Sequence, residues 1–157
     1  MIEKENDMTQ EEKQLLTKDL CSRLPYGVVC RMSGGGFETI EDKLTAIGLF
    51  QFVEEGLECV PYLRPLYSMT EDEARFILKF IFGDQKVYMV NVTKDGIEAY
   101  VDDGVASFDE TYVFHNEIVR SLDIFDYLNE RQFDYRGLIE KGLALVAPED
   151  MYQDIVL

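Results

Sequence analysis

The side chains that could act as acids, bases or nucleophiles give this chain few catalytic arrangements. His115 is its only histidine, so a metal centre made of several imidazoles is excluded. A Ser-His-Asp or Cys-His arrangement would have to use that one imidazole. Because His115 follows a predicted strand and precedes a predicted helix, we interpret it as a capping or packing residue.

Carboxylates form the one dense group of chemically active residues. Between Glu98 and Glu117 the chain has no lysine or arginine and carries six acids: Glu98, Asp102, Asp103, Asp109, Glu110 and Glu117. Carboxylate oxygens attract hard divalent cations, but the spacing is not that of an Asp-x-Asp-x-Asp-Gly calcium loop. We interpret the stretch as a solvated acidic face. Two alternatives stay open: a divalent-ion site, and an electrostatic surface for a basic partner.

Phosphate-binding loops and nucleophile motifs are not found. The glycine cluster Ser33-Gly34-Gly35-Gly36 lacks the Gly-Lys-Ser/Thr ending of a phosphate loop and precedes a predicted strand, so we interpret it as a hairpin loop. Cys21, Cys30 and Cys59 are odd in number, widely spaced and set among apolar neighbours. That pattern favours buried free thiols in a reducing cytoplasm. The sequence therefore predicts a non-enzymatic protein without a cofactor.

Two short segments combine tyrosine with arginine, residue types that are enriched at the energetic centres of protein interfaces. They are Pro61–Tyr67 and Phe133–Gly137. Their candidate contacts with a partner protein or a second copy are Tyr62, Arg64, Tyr67, Tyr135 and Arg136. The alternative is structural, with the tyrosines packed on a sheet and the arginine paired with a carboxylate.

Net charge excludes further classes of function. The chain of 157 residues carries 15 basic and 31 acidic side chains, a net charge of -16. So few cations make direct binding to nucleic acid or to an anionic membrane unfavourable. Ten phenylalanines and nine tyrosines are too many for a disordered acidic tail. We expect a cytoplasmic protein with a disordered N-terminus over residues 1–8 and one domain over residues 9–157.

Hydrophobic periodicity and capping signals predict the helices that position these residues. A capping box at Thr9 to Glu12 starts a helix that runs to Arg23, and a second box at Thr70 to Glu73 starts one that ends near Gly83. A third amphipathic helix is predicted from Glu117 to Arg131. A short helical stretch is expected around Leu138 to Leu145.

The remaining segments predict antiparallel strands. They are 27–32, 37–40, 43–53, 57–63, 87–92, 97–101 and 111–114, with an Asp-Gly hairpin turn before Ile97. Pro61 lacks an amide proton, which predicts an edge position or a bulge for its strand. The expected fold is α+β: an antiparallel sheet, built as a meander plus a hairpin, with about three helices mainly on one face.

Several runs of sequence carry a resemblance that spans most of the chain. They are Met8-Thr9-Gln10-Glu11-Glu12-Lys13, Leu24-Pro25-Tyr26-Gly27-Val28, Tyr62-Leu63-Arg64-Pro65, Ser68-Met69-Thr70-Glu71, Phe133-Asp134-Tyr135-Arg136-Gly137-Leu138-Ile139-Glu140-Lys141-Gly142-Leu143-Ala144 and Ala147-Pro148-Glu149-Asp150-Met151-Tyr152. The chain resembles a family of small acidic proteins from gut Bacteroidetes chromosomes and prophages. The resemblance implies a bacterial or phage cytoplasmic setting and transfers no catalytic residue. The segment from Met32 to Phe50 is less similar.

These observations favour a non-enzymatic protein-binding module of phage or mobile-element character. One alternative is an acidic mimic of DNA that occupies the basic groove of a DNA-handling protein. The other is a hydrolase or transferase that uses a carboxylate pair and a divalent ion between Glu98 and Glu117. Self-association through the Tyr62 to Tyr67 segment is compatible with the first interpretation.

Overall fold

Helices and antiparallel strands confirm the predicted α+β class. The computed structural model describes residues 8–83, 86–94, 96–101, 104–108 and 118–153. The described helices are α1 (Gln10–Arg23), α2 (Ala46–Glu55), α3 (Glu71–Phe82) and α4 (Ile118–Glu130). The described strands are β1 (Val29–Gly34), β2 (Phe37–Lys43), β3 (Glu58–Leu63), β4 (Val87–Thr93), β5 (Gly96–Val101), β6 (Gly104–Phe108) and β7 (Leu145–Val146). Short 3-10 turns lie at Leu24–Tyr26 and Leu66–Ser68.

The chain divides into two compact units. Unit 1 consists of Met1–Tyr62 and Leu138–Leu145, and unit 2 consists of Leu63–Gly137 and Val146–Leu157. The prediction of one domain stays a prediction, because a division into units does not decide whether they fold independently. Of the N-terminal stretch predicted to be disordered, only Met8 is described.

Capping boxes fix the starts of α1 and α3, as the sequence predicts. Thr9 N donates to Glu12 Oε1 at 3.1 Å, and Glu12 N donates to Thr9 Oγ1 at 3.1 Å. Thr70 and Glu73 make the same reciprocal pair of bonds at 3.0 and 3.2 Å. These bonds satisfy amides that have no partner within the helix, so local sequence alone sets both helix starts.

Strand β1 is the central strand of the antiparallel part of the four-stranded sheet. The sheet order is β2-β1-β3-β7. The β1–β2 hairpin pairs Met32 with Ile40, and β1 also pairs with β3, where Cys30 lies opposite Pro61. Leu16 and Leu20 of α1 are fully buried. This hairpin and helix confirm the predictions for residues 10–23 and 27–40.

The predicted edge position of Pro61 is wrong, since β3 lies between β1 and β7. Leu44 N donates to Val28 O at 2.8 Å, and pairing alternates along an antiparallel ladder. Cys30 therefore exchanges its backbone bonds with β2, and the nitrogen of Pro61 faces away from β1. Strand β7 is only two residues long, and no feature of the sequence predicted it. The missing amide proton of Pro61 therefore removes no hydrogen bond from the β1–β3 ladder.

A helix replaces the strand predicted for residues 43–53. Helix α2 starts after Thr45, whose side chain accepts from Gly48 N at 3.1 Å, and it ends at Gly56 with a left-handed φ of 71°. Phenylalanine and β-branched residues favour a strand by propensity, but propensity yields to tertiary packing. Gly48 and Phe52, four residues apart, form the buried side of the helix. The cap and the glycine stop were the signals that the strand prediction missed.

The helical stretch predicted around Leu138 to Leu145 is also wrong. Residues 138–144 form turns, in which Leu143 N donates to Leu138 O at 2.9 Å, and β7 follows. Gly142 adopts a φ of 72°, a left-handed value that is incompatible with continuing an α-helix. Leu138 and Leu143 are nevertheless buried, so the spacing of apolar residues there reflects packing within the turns and not a helix.

Unit 2 builds its core between α3, α4 and the sheet β4-β5-β6. All strand pairs in this sheet are antiparallel. The core consists of side chains from the residue after the turn Leu66–Ser68, from both helices, from β5 and from the segment after α4: Met69, Ala74, Ile77, Leu78, Ile97, Ala99, Ile124, Tyr127, Leu128, Phe133 and Tyr135. The predicted hairpin and the predicted helices are confirmed here. The predicted strand 111–114 lies outside the described residues, and β6 was not predicted.

No helix among the described residues has the length and apolar character needed to cross a membrane.

Replacing Gly56 with alanine tests the end of α2. An L side chain is strained at φ near 71°, so Gly56→Ala should lower the free energy of unfolding by about 1 kcal/mol. An added Cβ would contact nothing within 4 Å, so the loss would report backbone strain alone. Urea unfolding measures it. Glu54→Ala, at an exposed position of α2, is the control, and equal losses in both variants would contradict the strain argument.

Candidate functional site

The structure brings together the two tyrosine-arginine segments at Arg64. Arg64 N donates to Gln132 O at 2.8 Å, and Asp134 N donates to Arg64 O at 2.8 Å. Arg64 and Phe133 form a parallel bridge. The segment turns at Gln132, which has a φ of 62°, a value that is uncommon outside glycine. The backbones of two segments that are distant in sequence are therefore hydrogen-bonded to each other in unit 2.

Arg64 uses its guanidinium inside unit 2. Its two terminal nitrogens donate to the two carboxylate oxygens of Glu73, each at 2.8 Å. The side chains of Arg64 and Glu73 are 12% and 5% exposed. The guanidinium also stacks on the Phe133 ring, 4.1 Å from its centroid. A bidentate, stacked arginine of this kind supports the structural alternative for Arg64.

Glu73 combines the ion pair with its capping role. Thr70 donates to Glu73 Oε1 from both its backbone nitrogen and its hydroxyl, and Arg131 Nη1 lies 3.9 Å from Oε2. Burial alone raises the pKa of Glu73. Hydrogen bonds from Arg64 and Thr70, with the charge of Arg64, outweigh that effect and hold the pKa below its ordinary value of 4.5. The carboxylate is therefore ionised at neutral pH and is occupied structurally.

Tyr135 and Arg136 lie beside this network. Tyr135 is 4% exposed, and its hydroxyl donates to Asn129 Oδ1 at 2.8 Å. Its ring lies 5.3 Å from that of Phe125, and the guanidinium of Arg136 lies 4.7 Å from its centroid. Arg136 is half-buried. Tyr135 thus packs internally, and Arg136 keeps part of its surface open.

The two remaining candidates differ in exposure. The Tyr62 hydroxyl donates to Glu41 Oε1 across the sheet of unit 1, and this bond raises the pKa of Tyr62. Tyr67 is 59% exposed in the turn Leu66–Ser68. Of the five candidates, only Tyr67 is exposed; the others are buried or half-buried. Most of the residues in the tyrosine-arginine pattern therefore make contacts within the protein, and Tyr67 is the exposed exception.

Sequence reasoning missed an exposed group on the sheet of unit 2. Met89 lies opposite Tyr100, and the neighbouring pair places Val90 opposite the fully buried Ala99. Because side chains alternate between faces, Met89 and Tyr100 point away from the core. They are 57% and 45% exposed, and Tyr88, at an irregularity in the pairing, is 58% exposed. We call Tyr88, Met89 and Tyr100 the outer patch; the period-2 alternation of the hairpin was the signal that could have found it.

A cleft of about 780 Å³ opens in unit 1 beside α1, the end of α2 and the start of β3. Its lining includes apolar side chains and the charged Glu12, Lys13, Glu58 and Lys141. Three of these charges make internal bonds. Glu12 completes a capping box, Lys13 donates to Val53 O at 3.1 Å, and Glu58 accepts from Ser33 at 3.1 Å. The cleft is large enough for a small molecule, but most of its charges already serve the fold.

The thiols of Cys30 and Cys59 are buried, as predicted, whereas Cys21 is exposed, which corrects its prediction. Helix α1 turns Cys21 outward, between the buried Leu20 and Arg23. Cys30 and Cys59 share one face of neighbouring strands. A hydrogen bond between their thiols and burial raise the pKa of Cys30 far above its ordinary range. Such a thiol is a weak nucleophile at neutral pH.

The acidic stretch is only partly described. Glu98 is exposed on β5 opposite Asn91, while Asp102, Asp103, Asp109, Glu110 and Glu117, with His115, lie outside the described residues. Within the described residues, no group of three or more metal-ligating side chains could hold an ion. The divalent-ion and catalytic hypotheses for this stretch stay predictions.

A comparison with known protein families, with curated proteins and with solved structures found no match. The resemblance to small acidic proteins of Bacteroidetes and their prophages therefore stays a prediction.

Removing the Arg64 guanidinium should destabilise the protein strongly. Arg64→Met leaves the Glu73 carboxylate buried without its cation, at an expected cost of about 3–5 kcal/mol in the free energy of unfolding. Glu71→Gln removes the charge of Glu71, which is 61% exposed and pairs with Arg75, and is the control, with an expected cost near or below about 1 kcal/mol. Chemical denaturation measures both. Similar losses in the two variants would contradict a structural role specific to Arg64.

The Arg64–Glu73 ion pair should also make the free energy of unfolding depend on pH. Because the pKa of Glu73 is lower in the folded protein than its ordinary value of 4.5, the unfolded chain protonates this group first as pH falls. The stabilisation is complete above the ordinary value and disappears as pH falls through the folded value. Unfolding free energies of wild type and Glu73→Gln should therefore converge as pH falls below 4.5 toward the lowered pKa of the folded state. A constant difference from pH 7 to pH 3 would contradict the lowered pKa.

Proposed function

We propose that the chain is a non-enzymatic protein-binding module that uses the outer patch, Tyr88, Met89 and Tyr100. The observation that carries the proposal is the exposure of these three large side chains on two paired strands. Tyrosine and methionine are enriched in the buried centres of protein interfaces. An exposed cross-strand pair adds only about 0.2–1 kcal/mol to a sheet, so folding alone gives little reason to keep it.

The surroundings of the outer patch support a protein partner. Glu98 and Asn91 form the adjacent cross-strand pair and are exposed, and Lys86 Nζ lies 4.8 Å from the Tyr88 ring centroid. Apolar and aromatic side chains with polar neighbours match the centre-and-rim arrangement of interfaces. The net charge of -16 favours a partner whose rim is basic. The partner we propose therefore has an apolar patch with basic residues around it.

The acidic DNA mimic stays an alternative. It needs carboxylates at phosphate-like separations on one face, and most of the acids that would supply them lie outside the described residues. Salt distinguishes the two functions, because charge-driven binding weakens steeply as ionic strength rises and apolar contacts do not.

Changing the outer patch should abolish partner binding without unfolding the protein. Host-cell proteins are retained on immobilised wild type, on Met89→Ser/Tyr100→Ser and on Tyr67→Ser, then eluted in rising salt. We expect a stoichiometric protein that withstands high salt on wild type and on Tyr67→Ser but is missing from the double variant. Tyr67→Ser removes a similarly exposed side chain and serves as the control.

Two results would overturn the proposal. One is equal retention on wild type and the double variant, which would separate binding from the outer patch. The other is retention of basic nucleic-acid enzymes alone, displaced by free duplex DNA, which would favour the mimic. Circular dichroism and thermal unfolding of each variant establish that lost binding does not reflect lost structure.

A further inference from the structure

The cleft beside α1 belongs to unit 1 and is formed by three segments that are distant in sequence. They are the start of α1, the connection from the end of α2 into β3, and the turn at residues 141–143. Its volume of about 780 Å³ lies within the range of pockets that hold small organic molecules. A molecule that fills the cleft would therefore contact all three segments.

The most deeply buried side chains of the cleft are apolar. Leu16 of α1 is fully buried, and Phe52 of α2 and Leu143 are 4% and 7% exposed. Binding there removes apolar surface from water only if the part of the ligand that enters is itself apolar. The inner part of the cleft therefore favours a hydrocarbon body.

The carboxylate of Glu58 lies on the other side of the sheet. Helix α2 packs against Met32, where a Cβ added at Gly48 would lie 3.4 Å from the sulfur. Cys59 is the cross-strand partner of Met32 and shares the face that α2 covers. Because side chains alternate along a strand, Glu58 points to the opposite face, where it accepts from Ser33 at 3.1 Å. Its charge is therefore separated from the apolar part of the cleft by the sheet.

The other three charged side chains of the lining have a positive balance. Glu12 supplies one carboxylate, which accepts from Thr9 N at 3.1 Å. Lys13 donates to Val53 O at 3.1 Å, which uses one of its three N–H groups and leaves its charge in place. Lys141 is exposed, and its ammonium makes no hydrogen bond or ion pair with any residue in the described ranges. Two cations therefore stand against one anion, and one of the cations is free to bind a ligand.

Charges elsewhere in the chain do not reverse this balance. The chain carries a net charge of -16, but at physiological ionic strength salt screens exposed charges beyond about 8 Å. Glu55 and Glu140 are close in sequence to lining residues, yet neither of them lines the cleft. The charged side chains of the lining therefore decide the charge of a ligand, and they favour an anion.

We propose that this cleft binds a small carboxylate with an apolar body, a medium-chain fatty acid. The carboxylate pairs with the ammonium of Lys141, and the alkyl chain packs against Leu16, Phe52 and Leu143. The outer patch belongs to unit 2, so this binding does not depend on the function proposed for that patch.

A series of eight-carbon ligands tests the proposal on the full chain. Octanoate, octanol and octylammonium are titrated separately into the isotope-labelled protein, and backbone amide shifts are followed by nuclear magnetic resonance. Octanoate should bind with one-to-one saturation and shift the amides of Leu57, Cys59 and Gly142, and it should bind at least fivefold more tightly than octylammonium. Hexanoate, which is two methylene groups shorter, should bind about tenfold more weakly than octanoate.

Protein variants test the part played by Lys141. Lys141→Met removes the ammonium and keeps an unbranched side chain, so it should weaken octanoate binding about fivefold, the upper end for an exposed ion pair. The same variant should leave octanol binding within twofold. Lys18→Met makes the same change in net charge at an exposed position of α1 outside the cleft and should leave both ligands within twofold. Far-ultraviolet circular dichroism checks that both variants are folded.

Three results would overturn the proposal. The first is a lack of saturable shifts at the cleft amides with octanoate. The second is octylammonium binding as tightly as octanoate, which would show that the cleft does not select an anion. The third is equal weakening of octanoate binding by Lys141→Met and Lys18→Met. All three leave the outer patch untested, because neither variant changes a residue of unit 2.

Discussion

A single buried carboxylate, Glu73, joins three segments of unit 2. It caps α3 through Thr70, binds the guanidinium of Arg64 with both oxygens, and lies near Arg131. The backbone of Arg64 in turn bonds to the chain on both sides of Phe133. The start of a helix, the end of β3 and the segment after α4 therefore meet at one anion. A buried charge is tolerable only with such partners, so these elements are mutually dependent.

This network explains why tyrosine and arginine side chains that look suited to binding are used internally. Arginine is common both at interfaces and in buried ion pairs. The reason is the same in both places: its guanidinium is a planar fork of donors that also stacks on aromatic rings. Sequence cannot distinguish the two uses, because both require an arginine beside aromatic residues. The difference lies in whether a carboxylate from elsewhere in the chain reaches the guanidinium. Glu73 does so only because α3 places it there.

Local signals predicted much of the fold. The capping boxes at Thr9 and Thr70 and the hairpin of β4 and β5 are determined within a few residues, and the structure has them as predicted. Helix α2 was missed because its composition favours a strand and its packing against Met32 is a tertiary property. The outer patch depends on strand register, which sequence specifies weakly. The outer patch therefore became visible only with the strands paired.

The three cysteines offer a practical consequence of how α1 and the sheet are packed. Cys30 and Cys59 lie buried with their thiols in contact, while Cys21 stands at the surface of α1. A thiol-reactive dye applied to the folded protein should therefore attach at a single position without any mutation. The wild-type chain thus carries its own attachment point for a fluorophore or spin label. Unit 1 can therefore be labelled for spectroscopy without changing its sequence.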